Sequence, residues 1–217
     1  MNHTRRSLLA GAAAAGVASA AGCLGGSELD LDTGEYGCDL DEPASPDLDY
    51  RPVLGDPNAD VVVQAFEDFG CPACATYKLN EYPVIRDEYI ATDEIRYEHW
   101  DFPIPADPTW TVPIASAARG VGAREGNEAF ETVASTIYES EGAYDGAAIA
   151  EAAEAAGADP CLALADAQFS AYEEASMNDK EEGETMGVGG TPSIFVNGSL
   201  VDGTSASAVM AAIDDVL

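Results

Sequence analysis

Cys71 and Cys74 lie three residues apart in the stretch Phe66-Glu67-Asp68-Phe69-Gly70-Cys71-Pro72-Ala73-Cys74, which follows the apolar run Val61-Val62-Val63. Cysteines at this spacing on the first turn of a helix have Cβ atoms about 5 to 6 Å apart, so slight adjustment closes a small disulfide ring. The pair can then open and close without refolding the chain. Cys71, at the helix N-terminus, faces unpaired backbone N–H groups and the positive end of the helix dipole, and both favour thiolate over thiol. Cys71 is therefore expected to be the attacking sulfur and Cys74, one turn deeper, the resolving one.

Two other uses of this spacing compete. Zinc takes about four ligands, commonly a second such cysteine pair or two histidines. The chain has two histidines, His3 in a segment expected to be removed and His99, and its other cysteines are scattered singly, so no metal is expected. A purely structural bridge is the second alternative, but a ring this small constrains little of the unfolded chain.

The pair needs a strand to deliver it and a helix to hold it. Gly55-Asp56-Pro57-Asn58 is a turn, Ala59 to Phe66 a buried strand, and Cys71 to about Tyr89 a helix bent at Pro83. Ile95 to Phe102 reads as the next strand, completing a βαβ unit with parallel pairing. From about Pro113 to Lys180 three or four alanine-rich helices follow, with breaks at Gly120 to Gly126, Gly142 to Gly146 and Gly157 to Pro160. The strand period returns at Ser193-Ile194-Phe195-Val196, then the hairpin turn Asn197-Gly198, a strand Ser199 to Val201 and a last helix from Ser205 to Val216. The expected class is α/β: βαβ, a helical insert over about residues 105–182, then ββα.

The first 22 residues read as an export signal, with basic Arg5 and Arg6, then an uncharged Ala/Gly-rich stretch too short to span a membrane. The paired arginines resemble a twin-arginine signal. Ala20-Ala21-Gly22-Cys23 resembles a lipobox, which would make Cys23 a lipidated N-terminus; plain cleavage nearby is the alternative, because the usual leucine is Ala20 here. Residues 23–50, rich in Gly, Pro, Asp and Glu, read as an acidic tether and loosely ordered lead-in, leaving 51–217 as the folded domain. Loss of the signal leaves 7 basic and 40 acidic residues, a formal charge of −33, on a chain whose 47% apolar content is that of a globular protein. Lys78 and Lys180 are its two lysines, and such a surface resembles proteins of salt-loving archaea. Nucleic acid and anionic lipid head groups are excluded as partners on charge, and the acids show no EF-hand spacing.

Strand-then-CxxC order resembles the thioredoxin fold, and the helical insert narrows the resemblance to the DsbA-like thiol oxidoreductases, over roughly residues 52–217. Met186-Gly187-Val188-Gly189-Gly190-Thr191-Pro192-Ser193-Ile194-Phe195-Val196-Asn197-Gly198 is similar to the second signature of that family. The resemblance implies a cis peptide at Thr191-Pro192 beside the active pair. It also implies that the Thr191 backbone, next to a proline with no N–H, pairs with an extended substrate segment, with Pro72 and Ala73 at the same surface. Members often carry a buried acid six residues before the first cysteine, to take the proton of the resolving thiol; here that position is Ala65. Glu67 or Asp68 could take over, strand alternation sending one towards the motif and the other away; either could instead be a solvated acid. His99 is expected to be a strand residue with a satisfied ring.

The implied reaction is thiol–disulfide exchange on cysteine-containing exported proteins, without metal or organic cofactor. An oxidase outside the membrane is expected, reoxidised by a quinone-linked membrane partner of the DsbB or vitamin K epoxide reductase (VKOR) type, near which a lipid anchor at Cys23 would hold it. A reductase or isomerase is the rival, because the acidic surface is expected to raise the Cys71 pKa and make the pair less oxidising. A thioredoxin-like copper carrier is the third reading, with Met186 as a ligand approaching in space. Cys38 and Cys161 remain as an even pair that a disulfide could join, or Cys161 could be a buried free thiol.

Overall fold

The computed structural model describes residues 29, 31 and 33–217; the export segment and Cys23 lie outside this range. Five strands, β1 (Val53–Gly55), β2 (Val62–Glu67), β3 (Arg96–Asp101), β4 (Ser193–Val196) and β5 (Ser199–Leu200), form one sheet in the order β1-β3-β2-β4-β5. β2 and β3 run parallel, with Ala65 opposite His99 and Glu67 opposite Asp101, and the other pairs are antiparallel. β2 is thus the central strand, and alternation splits its side chains cleanly. Val63 and Ala65 pack among Tyr77, Tyr82, Ile85 and Tyr97, whereas Phe66 faces the opposite side against Phe102, Val188 and Phe195.

β2 feeds one helical run. It comprises α1 (Pro72–Thr76) and α2 (Tyr82–Ile85), each followed by a wider turn, Tyr77–Glu81 and Arg86–Ile90. The first wide turn precedes Pro83, which has no N–H for the usual i→i−4 bond, so the helix adapts there without stopping.

Five helices stand between β3 and β4: α3 (Thr111–Glu125), α4 (Asn127–Tyr138), α5 (Gly146–Ala155), α6 (Pro160–Gln168) and α7 (Glu173–Met186). Asp145 and Asp159 cap α5 and α6 by accepting from the N–H groups of Ala148 and Cys161, and Ser205 caps α8 (Ala206–Asp214) through Ala208. This is the thioredoxin fold, βαβ then ββα, with an inserted helical subdomain.

The structure corrects three sequence expectations. The insert has five helices, not three or four. Gly120 is no helix break: α3 runs through it to Gly126, and a side chain there would overlap the Asp166 carboxylate of α6, so the glycine serves close packing. Gly55, expected to open a turn, ends a strand, Val53–Gly55, paired with β3 and too short to show a periodicity of its own.

The lead-in packs onto the insert instead of hanging free. Leu31 is buried, its N–H donating to Gln168 Oε1 at 3.1 Å, and Tyr36 and Leu40 lie against the helical core. Cys38 and Cys161 are joined by a disulfide, Cα atoms 5.5 Å apart and 123 residues apart in sequence.

Candidate active site

The turn from β2 into α1 is built by Asp68. Its Oδ1 accepts from the Gly70 N–H at 2.7 Å and the Thr111 hydroxyl at 2.8 Å, and its Oδ2 accepts from the Ile104 N–H at 2.7 Å. The Tyr144 hydroxyl donates to the Phe69 carbonyl at 2.7 Å, so the loop is clamped from α3 and from the α4–α5 connection. Gly70 is required, since a side chain would overlap Thr111 and Asp107.

Cys71 is the N-cap of α1, with Pro72 in the first turn where a missing N–H costs nothing. Both cysteines are free thiols here, Cys71 buried to 5% exposure and Cys74 to 0%. Around Cys71 lie exposed Pro72 and Ala73 and half-buried Thr191 and Pro192. The Thr191-Pro192 peptide is cis, and the Cys71 thiol sits 3.5 Å from the Thr191 carbonyl oxygen. Cys74 Sγ accepts from the Asp68 N–H at 3.4 Å.

These surroundings drive the two sulfurs apart. The hydrogen bond from Cys74 is the largest cause lowering the Cys71 pKa to about 5; burial opposes it, and the Thr191 hydroxyl with the N–H groups of Cys74 and Ala73 adds to it. Thr191 Oγ1 is buried with no hydrogen-bond partner, so it can turn to a thiolate. The net direction is opposite to that expected from the acidic surface, because the adjacent donors outweigh diffuse, solvent-screened charge. Cys74 moves the other way, far above an ordinary thiol, through burial first, then its bond to Cys71, then the charge of Glu67.

Glu67 and Asp68, the two candidate proton acceptors, are both buried, so neither is a solvated acid. Asp68 holds the loop; burial raises its pKa against the bonds from Ile104, Gly70 and Thr111. Glu67 points to the Ala65 face, and neither of its oxygens accepts a hydrogen bond. His99 is buried beside it, Nδ1 3.4 Å from Glu67 Oε1 in an ion-pair contact too poorly aligned for a hydrogen bond, and Nε2 3.0 Å from Asp101 Oδ1. Burial works against a charge on His99, but Asp101 and Glu67 outweigh it and raise the pKa. Arg119 Nε donates to Asp101 Oδ2 at 2.5 Å, its Nη2 pairs with Asp179, and Arg51 pairs with Asp179 at 2.7 Å.

This buried ionic row escaped sequence reasoning. Its signal was present as His99 and Asp101 at strand spacing and as Arg119, a lone cation in a small apolar helix run. Met186 packs against the Phe66, Phe102, Val188 and Phe195 cluster. Among the described residues no three His, Cys, Asp or Glu side chains are grouped as a metal would need, and no helix is long and apolar enough to cross a membrane.

A family model described as thioredoxin matches residues 47–215, covering both signatures and everything between them. The chain belongs to this thioredoxin family. Among solved structures of the thioredoxin fold, oxidised BdbD from Bacillus subtilis aligns with a TM-score of 0.69 at 17% identity, covering 82% of this chain and 98% of its own. DsbA from Chlamydia trachomatis aligns at 0.67 with 20% identity, over 76% of this chain and 91% of that one. A reduced disulfide bond oxidoreductase, DsbG from Mycobacterium tuberculosis, aligns at 0.60 with 19% identity, over 80% and 89%. A search of curated protein sequences finds no match.

Proposed function

We propose that this thioredoxin-family protein catalyses thiol–disulfide exchange on cysteine-containing exported proteins, acting mainly as an oxidase that forms disulfides. One observation carries the reading: Cys71 caps the N-terminus of α1 while Cys74 is fully buried behind it, an arrangement that lowers the pKa of the first thiol and raises that of the second. A disulfide whose reduced form contains a stabilised thiolate passes on its oxidising equivalents readily.

In the oxidising direction a substrate thiolate attacks Cys71 Sγ, the Cys71–Cys74 bond breaks, and its electron pair leaves on Cys74. A second substrate thiolate attacks the substrate sulfur of the mixed disulfide. The substrate disulfide forms and Cys71 departs as the better leaving group. Pro72, Ala73, Thr191 and Pro192 form the rim that the substrate meets. Thr191 offers its backbone to an extended segment as an added strand. Neither metal nor organic cofactor enters these steps.

Location is read from the sequence. Arg5-Arg6 and the Cys23 lipobox support export and a lipid anchor on the outer face of the membrane, and the sparse lysines support a haloarchaeal origin. A quinone-linked partner of the DsbB or VKOR type would reoxidise the pair. A Cys23→Ser protein that stays fully membrane-bound and is reoxidised at an unchanged rate would rule out the anchor.

The function is tested with purified protein in multi-molar salt. Oxidised protein should convert a reduced, unfolded substrate to its disulfide form stoichiometrically, and Cys71→Ser should abolish this. Tight copper binding without exchange would replace the reading by a copper carrier.

A further inference from the structure

The helical run that begins at Cys71 has one flank unlike the rest of the surface. Pro72, Ala73, Thr76, Leu79, Pro83 and Val84 are exposed and recur every three to four residues, so they line one side of the run. Leu79 is 38% and Val84 48% exposed. From Pro72 to Val84 this stripe is about 18 Å long. It bears no charge, on a chain with 40 acidic and 9 basic residues.

Both charged residues within 72–85 are drawn away from the stripe. Lys78 is 2% exposed, 2.6 Å from Glu131 Oε2 and 3.8 Å above the Tyr82 ring. Glu81 is half-buried, its Oε2 accepting from the Ala206 N–H at the start of α8 at 2.7 Å. The polar side chains on the flank fold back as well: the Thr76 hydroxyl donates to the Pro72 carbonyl and the Asn80 amide to the Thr76 carbonyl, each at 3.0 Å. Their donors are satisfied within the helix, and apolar side chains make up the remainder. Charge returns in the next turn with exposed Arg86, Asp87 and Glu88.

Shape, size and position together select the occupant. A helix flank is convex, so an extended unfolded chain crosses it along a line, whereas a groove in a folded partner encloses it. An area of roughly 18 Å by 10 Å falls well short of the about 800 Å² per partner of a stable complex, which suits a partner that leaves after each turnover and not a second copy of this chain. The stripe ends at Cys71, so whatever sits on it brings its own reactive sulfur there. We propose that the stripe from Pro72 to Val84 is the docking face for a folded membrane thiol oxidase that renews the Cys71–Cys74 disulfide and presents an uncharged apolar groove beside a disulfide of its own. The inference rests on the oxidising direction proposed above. It separates two surfaces, with unfolded substrates pairing to the Thr191 backbone and the renewing partner seated on the helix flank. Once the partner is seated, the Cys71 thiolate attacks the nearer sulfur of its disulfide, and the farther sulfur leaves as a thiolate. Cys74 then loses its proton and attacks Cys71 Sγ, and the partner's first sulfur departs. Two electrons pass to the partner, whose disulfide becomes a dithiol on taking up the Cys74 proton and one from solvent.

The test adds the reduced full chain, in multi-molar salt and under air, to washed membranes from the cells that make it, and follows loss of free thiols by alkylation. Leu79→Glu with Val84→Glu should slow this reoxidation at least about tenfold, as a charge buried unpaired in an interface does. Leu79→Met should keep the wild-type rate. Leu162→Glu, a change at a similarly exposed apolar residue of α6, should also keep it. Oxidation of a reduced, unfolded substrate by the oxidised double variant should stay within about twofold of wild type, which separates docking from a structural role. Membrane reoxidation of the double variant at the wild-type rate overturns the proposal. So does joint slowing of both reactions, which makes the stripe a substrate surface, and so does a wild-type dimer that the double variant dissociates, which assigns it to a second copy. A wild-type chain that oxidises substrate yet is not renewed by the membranes leaves no such partner to dock and overturns it too. Failure of the wild-type chain to oxidise substrate at all would instead remove the exchange reading beneath it.

Discussion

Cys71 and Cys74 are one helical turn apart, yet one sulfur is surrounded by donors and the other by apolar side chains and a buried carboxylate. In the folded, reduced protein Cys71 ionises at about 5 against 9.0 for an ordinary cysteine. The sign follows from linkage: a depressed pKa stabilises the reduced fold fully above about pH 9, and the gain is lost as pH falls towards 5. At pH 7 the gain is at most about 3 kcal/mol, less where solvent at the rim screens it. Alkylation of reduced protein by iodoacetamide should therefore follow a titration with its midpoint near pH 5, and Thr191→Val, which removes a donor, should move it upwards. A midpoint near that of a free thiol would contradict the assignment of Cys71. This pair was legible in the sequence because spacing and helix position are local properties. The condition of Glu67 was not, since it depends on which side chains from α3, α4 and β3 surround it and which fail to donate to it.

The elements that hold the site differ in how well they announced themselves. β2 and β4 have apolar runs of strand length and β3 is bounded by Asp93 and Pro103, and their expected bounds fall within a few residues of those observed. Glycine in α3 misled, because Gly120 is selected by the approach of Asp166 and not by a turn, and sequence carries no sign of that difference. Arg119 shows the same limit: its burial to 1% makes sense only once Asp101 and Asp179 are seen to meet it from β3 and α7. The disulfide from Cys38 to Cys161 fastens the lead-in to α6 across 123 residues. On the chain-entropy account such a loop stabilises by about 4 to 5 kcal/mol, so Cys38→Ser with Cys161→Ser should lower the unfolding free energy by up to that amount. Salt-matched denaturant titrations would measure it; no change would mean that packing of Leu31, Tyr36 and Leu40 already holds the strap.

Charge is distributed over the molecule in an uneven way. Among the described residues, Arg51, Lys78, Arg96, Arg119 and Arg124 each pair with a buried acid, Asp179, Glu131, Glu98, Asp101 and Asp166 among them. Arg86 meets the exposed Glu128, and Lys180 donates to the Pro103 carbonyl. The scarce cations are thus committed largely to buried acids, and the surface carboxylates are left facing one another. Their repulsion is screened over about 10 Å at 0.1 M salt and about 3 Å at 1 M. The thermal midpoint should therefore rise steeply with sodium chloride into the molar range, while a flat response would show that surface repulsion is immaterial. The same screening leaves the donors around Cys71 in charge of its ionisation, which links the surface to the redox chemistry. The reduction potential of the Cys71/Cys74 pair in multi-molar salt tests the central claim most directly. The account predicts a value towards about −120 mV, that of a strong oxidant; one near about −270 mV, that of a reductant, would contradict it.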